Sequence, residues 1–291
     1  MMKSFYIFCS LLLIALFGCT SRAKREKKEN SVVMVTIEPQ RFFTEAIGGN
    51  NFMVKSMVPK GSSPETYDPT PRQLVGLTNS KAYLRIGHIA FEQSWMDRLT
   101  DNAPHMRVFD TSKGVEVIHT EEHDHGDHQH VGGVEPHIWS SVVNARIIAQ
   151  NTFKALCALD KEHEAEYLER YASLRHRIDS TDNIIRDLFS HSQVDHAFMI
   201  YHPALSYFAR DYGLLQISIE EGGKEPSPAH LKELIDISKK EKVRVIFIQP
   251  EFDHRNAEIV AKQTGAKIVS INPLAYDWEK EMIHIAKSLC Q

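Results

Sequence analysis

Two groups of short apolar, β-branched runs, separated by a long stretch free of Pro and Gly, constrain this chain more than any other feature. Residues 32–37 (VVMVTI), 52–58 (FMVKSMV) and 82–86 (AYLRI) form the first group. Residues 197–201 (AFMIY), 214–219 (LLQISI), 243–248 (VRVIFI) and 267–271 (KIVSI) form the second. Such runs alternating with helical patterns predict α/β architecture, in which parallel strands are covered by helices on both faces.

The stretch between the groups, about residues 144–188, has the helical period throughout. In its second part Tyr167, Tyr171, Leu174, Ile178, Thr181, Ile185 and Leu188 recur at spacings of three and four, a narrow apolar stripe on an otherwise charged helix. About 29 residues at about 1.5 Å each would reach roughly 43 Å, enough to run along two lobes and fix their separation. The alternative is two shorter helices with a break near residues 158–161. The expected organisation is therefore a signal segment at residues 1–18, a tether at 19–30 and an N-terminal α/β lobe at 31–160. A linking helix at 161–189 and a C-terminal α/β lobe at 190–291 complete it.

The first residues carry one charge, Lys3, and then a hydrophobic run from Phe5 to Phe17, the length of a signal-peptide core rather than of a bilayer span. The run ends in Leu16-Phe17-Gly18-Cys19, which resembles the lipobox of bacterial lipoproteins, in which the cysteine becomes the lipidated N-terminus. An ordinary signal peptide cleaved near Gly18 is the alternative. Either way the chain is expected to be exported, and the polar, basic TSRAKREKKEN segment after Cys19 reads as a solvated tether. An oxidising compartment leaves Cys157 and Cys290 either as a disulfide or as two separate buried thiols.

With 291 residues, 34 Lys+Arg and 38 Asp+Glu, the formal charge of −4 gives no basic surplus for nucleic-acid binding. The composition does hold 16 His, five of them in residues 119–130, HTEEHDHGDHQH. His119, His123, His125, His128 and His130 alternate there with Glu and Asp, a donor density that captures divalent transition metals such as Zn²⁺. No apolar residue lies inside the stretch, so it is expected to be a surface loop acting as an accessory metal-capture element.

An ordered site is expected where open α/β sheets bind ligands, beyond the carboxyl ends of the strands. Glu65 follows the second run in GSSPETYDPTP, His137 lies in EPHIW, His202 directly follows the AFMIY run, and Asn272 follows KIVSI. Prolines 64, 136, 203 and 273 adjoin these positions and stiffen the local backbone. Asp68 and Glu251 are further candidates near them. Glu65 also reads as a turn residue in Ser-Pro-Glu-Thr, and Glu251 as part of a helix start before Asp253. The sequence holds no phosphate-binding Gly-rich loop, no Gly-x-Ser-x-Gly and no His-Glu-x-x-His.

These segments resemble the motifs of the cluster A-I family, the substrate-binding lipoproteins of bacterial zinc and manganese ABC transporters. GSSPETYDPTP resembles its Pro-His-x-Tyr-Glu-Pro-Thr-Pro, EPHIWSSVVNA its Asp-Pro-His-Ile-Trp, YHPALSYFARDYGL its His-x-x-x-x-Tyr-Phe-Ala, and EGGKEPSPAHLKELI its Glu-Gly-x-Glu-Pro-Ser-Pro. The resemblance covers essentially all of the chain beyond the signal segment and implies two α/β lobes joined by one long rigid helix, with metal bound in the cleft. It implies His137 and His202 as ligands, and a histidine at 202 is similar to the zinc branch. Glu65 stands where the family has its first histidine and Asn272 where it has an aspartate. The implied site is His137, His202 and Glu65, with Asn272, Asp68 or Glu251 as fourth ligand or close neighbour. The implied function is zinc capture by a monomeric, membrane-anchored lipoprotein and delivery to an ABC permease and its ATPase, with Zn²⁺ as cargo. A Mn²⁺ cargo, an adhesin and a periplasmic zinc chaperone are the alternatives, and a zinc hydrolase is the enzymatic rival.

Overall fold

The computed structural model describes residues 31–119 and 133–290. The signal segment, Cys19, the tether and four loop histidines (His123, His125, His128 and His130) lie outside the described residues. Among the described residues no helix is long and apolar enough to cross a membrane.

The chain builds two four-stranded parallel sheets with the same strand order. The first holds β1 (Ser31–Val35), β2 (Phe52–Ser56), β3 (Ser80–Arg85) and β4 (Arg107–Asp110) in the order β2-β1-β3-β4. The second holds β5 (Ala197–Ile200), β6 (Leu215–Ser218), β7 (Val245–Ile248) and β8 (Lys267–Ser270) in the order β6-β5-β7-β8. The seven runs anticipated from sequence are strands in the structure. β4 is the addition. Its RVFD sequence sits at a sheet edge with no fully buried residue, so it lacks the apolar run that marks the others.

Helices α1 (Glu38–Gly48), α2 (Pro71–Leu77) and α3 (Ala90–Asn102) connect the first sheet, and α6 (Ser206–Tyr212), α7 (Pro228–Lys240) and α8 (Arg255–Thr264) the second. Between the sheets run α4 (Val142–Leu159) and α5 (Glu164–His191), and α9 (Trp278–Leu289) closes the chain. The helical stretch breaks at Asp160, whose φ of −150° and ψ of 89° leave the helical region. Asp160 then accepts from His163 at 2.8 Å and from Tyr167 Oη at 2.9 Å, which ties the start of α5 to the break. The long linking helix is thus α5, 28 residues, and it buries Tyr167, Leu174, Ile178, Thr181 and Ile185 of the anticipated stripe.

Burial on both faces of a parallel sheet is visible at β5. Phe198 and Ile200 join one apolar cluster, while Ala197 and Met199 join a smaller one with Leu234, Ile246 and Val260. The larger cluster is continuous from Val33 and Phe43 through Leu174 and Ile178 to Phe198 and Leu289, so both sheets and α5 share one core. Trp139 and Trp278 fasten it. Trp139 Nε1 donates to the Pro273 carbonyl at 2.9 Å, and Trp278 Nε1 donates to the Trp139 carbonyl at 2.7 Å. The Trp278 ring lies 5.3 Å from that of Phe43. Cys157 and Cys290 are both free thiols.

Candidate metal centre

Every polar group of the candidate site hangs beyond the carboxyl end of a strand, where chain direction and strand order open a crevice. Glu65 follows β2, His137 follows β4, His202 and Glu220 follow β5 and β6, and Gln249 follows β7. Glu65, His137 and His202 come together with donor atoms within 4.8 Å of one another. The Nε2 atoms of His137 and His202 are 3.1 Å apart, and Glu65 Oε1 is 4.0 Å from His137 Nε2. They line a cavity of about 20 Å³, the space of a single water-sized body.

Local structure holds each ring. His137, with φ −79° and ψ 46°, follows Glu135-Pro136 and leads into a short 3₁₀ turn, Ile138–Ser140, and then into α4, capped by Ser141 Oγ, which accepts from the Asn144 N–H at 3.0 Å. His137 Nδ1 meets Glu135 Oε1 in a short hydrogen bond. Ser206 Oγ donates to the other oxygen of Glu135 at 3.1 Å, and Tyr207 Oη donates to its carbonyl at 2.7 Å. His202 Nδ1 lies 2.9 Å from Glu220 Oε1. Gln249 fixes the His202 backbone by accepting its N–H at 3.2 Å and donating to its carbonyl at 2.6 Å. Phe252 stacks on the His202 ring with centroids 4.8 Å apart, and Trp139 meets the His137 ring edge-on at 5.2 Å.

A carboxylate only accepts, so the carboxylate beside each Nδ1 favours a ring proton there, and the Nε2 of each ring in its neutral form then turns a lone pair into the cavity. Burial alone would raise the Glu135 carboxyl, but the hydrogen bonds and charge of His137, with the Ser206 hydroxyl, outweigh it and hold the group below its ordinary value. Glu135 therefore stays ionised as an acceptor. Burial pushes the Glu251 carboxyl up. Two carboxylate oxygens at this cavity, Glu65 Oε1 and Glu251 Oε1, are buried without a hydrogen-bond partner among the described residues.

The remaining candidates stand elsewhere. Asp68 accepts from Trp95 Nε1 at 2.9 Å. The Asn272 N–H donates to Glu281 Oε1 at 2.6 Å, and its Oδ1 accepts from the Leu274 N–H at 3.0 Å, so its amide lines the neighbouring cavity of about 260 Å³. His119, the one capture-loop histidine within the described residues, is exposed and pairs in antiparallel fashion with Val134 at the loop stem. Sequence reasoning passed over Glu135, Glu220 and Gln249. Only Glu135, two residues before His137, carried a local signal.

Two α/β lobes on a shared linking helix, with imidazoles converging from the carboxyl ends of both sheets, define the class of two-lobed solute receptors with an inorganic-ion-sized pocket. Residues 33–289 match the model of the family described as ZnuA, zinc-uptake complex component A, periplasmic, and the chain belongs to that family. Its members are solute-binding components of metal ABC transporters, not enzymes. The zinc-binding lipoprotein AdcA of Streptococcus pneumoniae is 24% identical over 283 residues, covering 94% of this chain and 56% of that longer relative. The manganese ABC transporter substrate-binding lipoprotein PsaA of Streptococcus mitis is 27% identical over 277 residues, 91% of this chain and 86% of the relative. A crystal structure of ZnuA is 31% identical with a TM-score of 0.82, covering 89% of this chain and 98% of that one.

Proposed function

We propose that the chain is the zinc-capturing component of an ABC metal importer, tethered through Cys19 and delivering its cargo to a membrane permease driven by an ATPase. The ion sits on Glu65, His137 and His202. The observation that carries this reading is the facing pair of Nε2 atoms, 3.1 Å apart, with the Glu65 carboxylate beside them. Two imidazoles on one tetrahedral Zn²⁺ at about 2.0–2.1 Å per bond stand about 3.3 Å apart, close to the spacing of these two nitrogens. Imidazole donors favour Zn²⁺ over Mn²⁺, whose preferred ligands are oxygens. The cavity of about 20 Å³ has room for a single ion.

The test is a chelator-competition titration of the wild type and of His202→Ala with Zn²⁺ and, separately, Mn²⁺. The expected result is one tight, zinc-preferring site in the wild type, weakened by more than the roughly 100-fold upper range for loss of a supporting residue in the variant. Wild-type affinity in His202→Ala would overturn the site. Acid weakens binding because protons compete for the imidazole and carboxylate donors.

A further inference from the structure

One carboxylate at the cavity is left unused by the three-residue cluster. Glu251 lies in the turn after β7, between two residues that are both fastened to His202: Gln249 through the paired backbone hydrogen bonds, and Phe252 through ring stacking. Anchored on either side, Glu251 lines the same cavity as Glu65, His137 and His202, with Oε1 buried and unpartnered among the described residues. A buried carboxylate oxygen without a donor is costly, and an arriving cation removes that cost. The neighbouring strand offers no competing donor. Asn272, beyond β8, is a neutral amide whose oxygen already accepts from Leu274.

We propose that Glu251 supplies the fourth donor atom to the ion held by Glu65, His137 and His202. This rests on the three-residue site proposed above. Glu251 stands outside the set of donor atoms within 4.8 Å of one another, so a rotation of its three-torsion side chain completes the site when the ion enters. Two neutral imidazoles and two carboxylates then balance the charge of a divalent cation and give tetrahedral zinc its four donors.

The experiment compares Zn²⁺ affinity, by chelator competition on the full chain, for the wild type, E251Q, H202A, N272D and the double variant E251Q/N272D, with apo melting temperatures alongside. E251Q is nearly isosteric and is expected to keep the apo melting temperature while losing roughly 10- to 100-fold in affinity. N272D in that background is expected to restore most of the loss, because residue 272 and Glu251 line one shared cavity beside the ion, so an aspartate there offers a replacement carboxylate. A merely structural Glu251 would not be rescued in this way. Wild-type affinity in E251Q together with loss in H202A overturns the role of Glu251 and leaves the three-residue site standing. Wild-type affinity in both overturns the site itself. Weakening in E251Q that N272D does not restore also overturns the fourth-ligand role.

Discussion

His137 and His202, 65 positions apart in sequence, present their Nε2 atoms to each other at 3.1 Å while each Nδ1 rests on its own carboxylate, Glu135 for one and Glu220 for the other. The carboxylates set the tautomer, hold the ring plane and raise the basicity of the facing nitrogen. Glu135→Gln and Glu220→Gln are each expected to weaken zinc binding roughly 10- to 100-fold. An amide can offer its NH₂ to Nδ1 and invert the ring tautomer. The check is chelator competition together with the apo melting temperature. Unchanged affinity in both variants would remove these carboxylates from the binding mechanism.

The stem of the histidine-rich segment is joined to this same support. The Glu135 N–H donates to the Ile118 carbonyl at 2.9 Å, and Tyr207 Oη accepts from the Ile118 N–H at 3.1 Å while donating to the Glu135 carbonyl. Because His119 and Val134 already pair, replacing residues 120–133 with Asn-Gly is expected to close a two-residue hairpin without disturbing Glu135 or His137. A zinc titration of that variant should keep one tight equivalent and lose only weaker additional ones. Loss of the tight equivalent would make the segment itself the principal binder.

A shared core predicts shared unfolding. The apolar cluster runs without interruption from Val33 to Leu289, and the two tryptophans link Trp139 to the segment from Pro273 to Trp278. Differential scanning calorimetry of the apo chain is expected to give one transition with van't Hoff and calorimetric enthalpies in agreement. Two resolved transitions would mean that the sheets unfold independently and that the continuity across α5 contributes little.

Strands with dense apolar runs were legible in the sequence because parallel strands are buried on both faces, and His137 and His202 were legible because they follow such strands or stand in distinctive motifs. β4 was not, since an edge strand of RVFD carries no apolar run. The break at Asp160 falls where the sequence offered one, near residues 158–161, though no Pro or Gly marks it. It arises from a side-chain network with His163 and Tyr167 that only the folded chain assembles. Asp68 and Asn272 were candidates by position; in the folded chain one Asp68 oxygen accepts from Trp95 and the Asn272 oxygen accepts from the Leu274 N–H, contacts that no local sequence pattern announces. Glu135 and Glu220 looked like ordinary acidic residues, because their role depends on rings brought to them by tertiary folding.

Acid stability is coupled to an ion-pair network on α5. Asp182, on α5, accepts from Arg146 at 3.1 Å and from Tyr212 Oη at 3.0 Å and pairs with Arg186 at 3.0 Å. Burial would raise its carboxyl, but Arg146, Tyr212 and Arg186 together hold it below the ordinary value of 3.8. A carboxylate depressed in the folded state binds fewer protons than in the unfolded one. Its stabilisation is therefore fully present above pH 3.8 and is lost as pH falls through the lower, folded-state value. Asp182→Asn is expected to cost about 1 kcal/mol at neutral pH, the upper range for a partly solvated ion pair, or roughly 2–4 °C in Tm. Melting curves of the two apo proteins from neutral pH downward should converge below pH 3.8, where the wild type loses the same interaction by protonation. A gap that stays constant through that window would show that the substitution acts through packing rather than through the charge of Asp182.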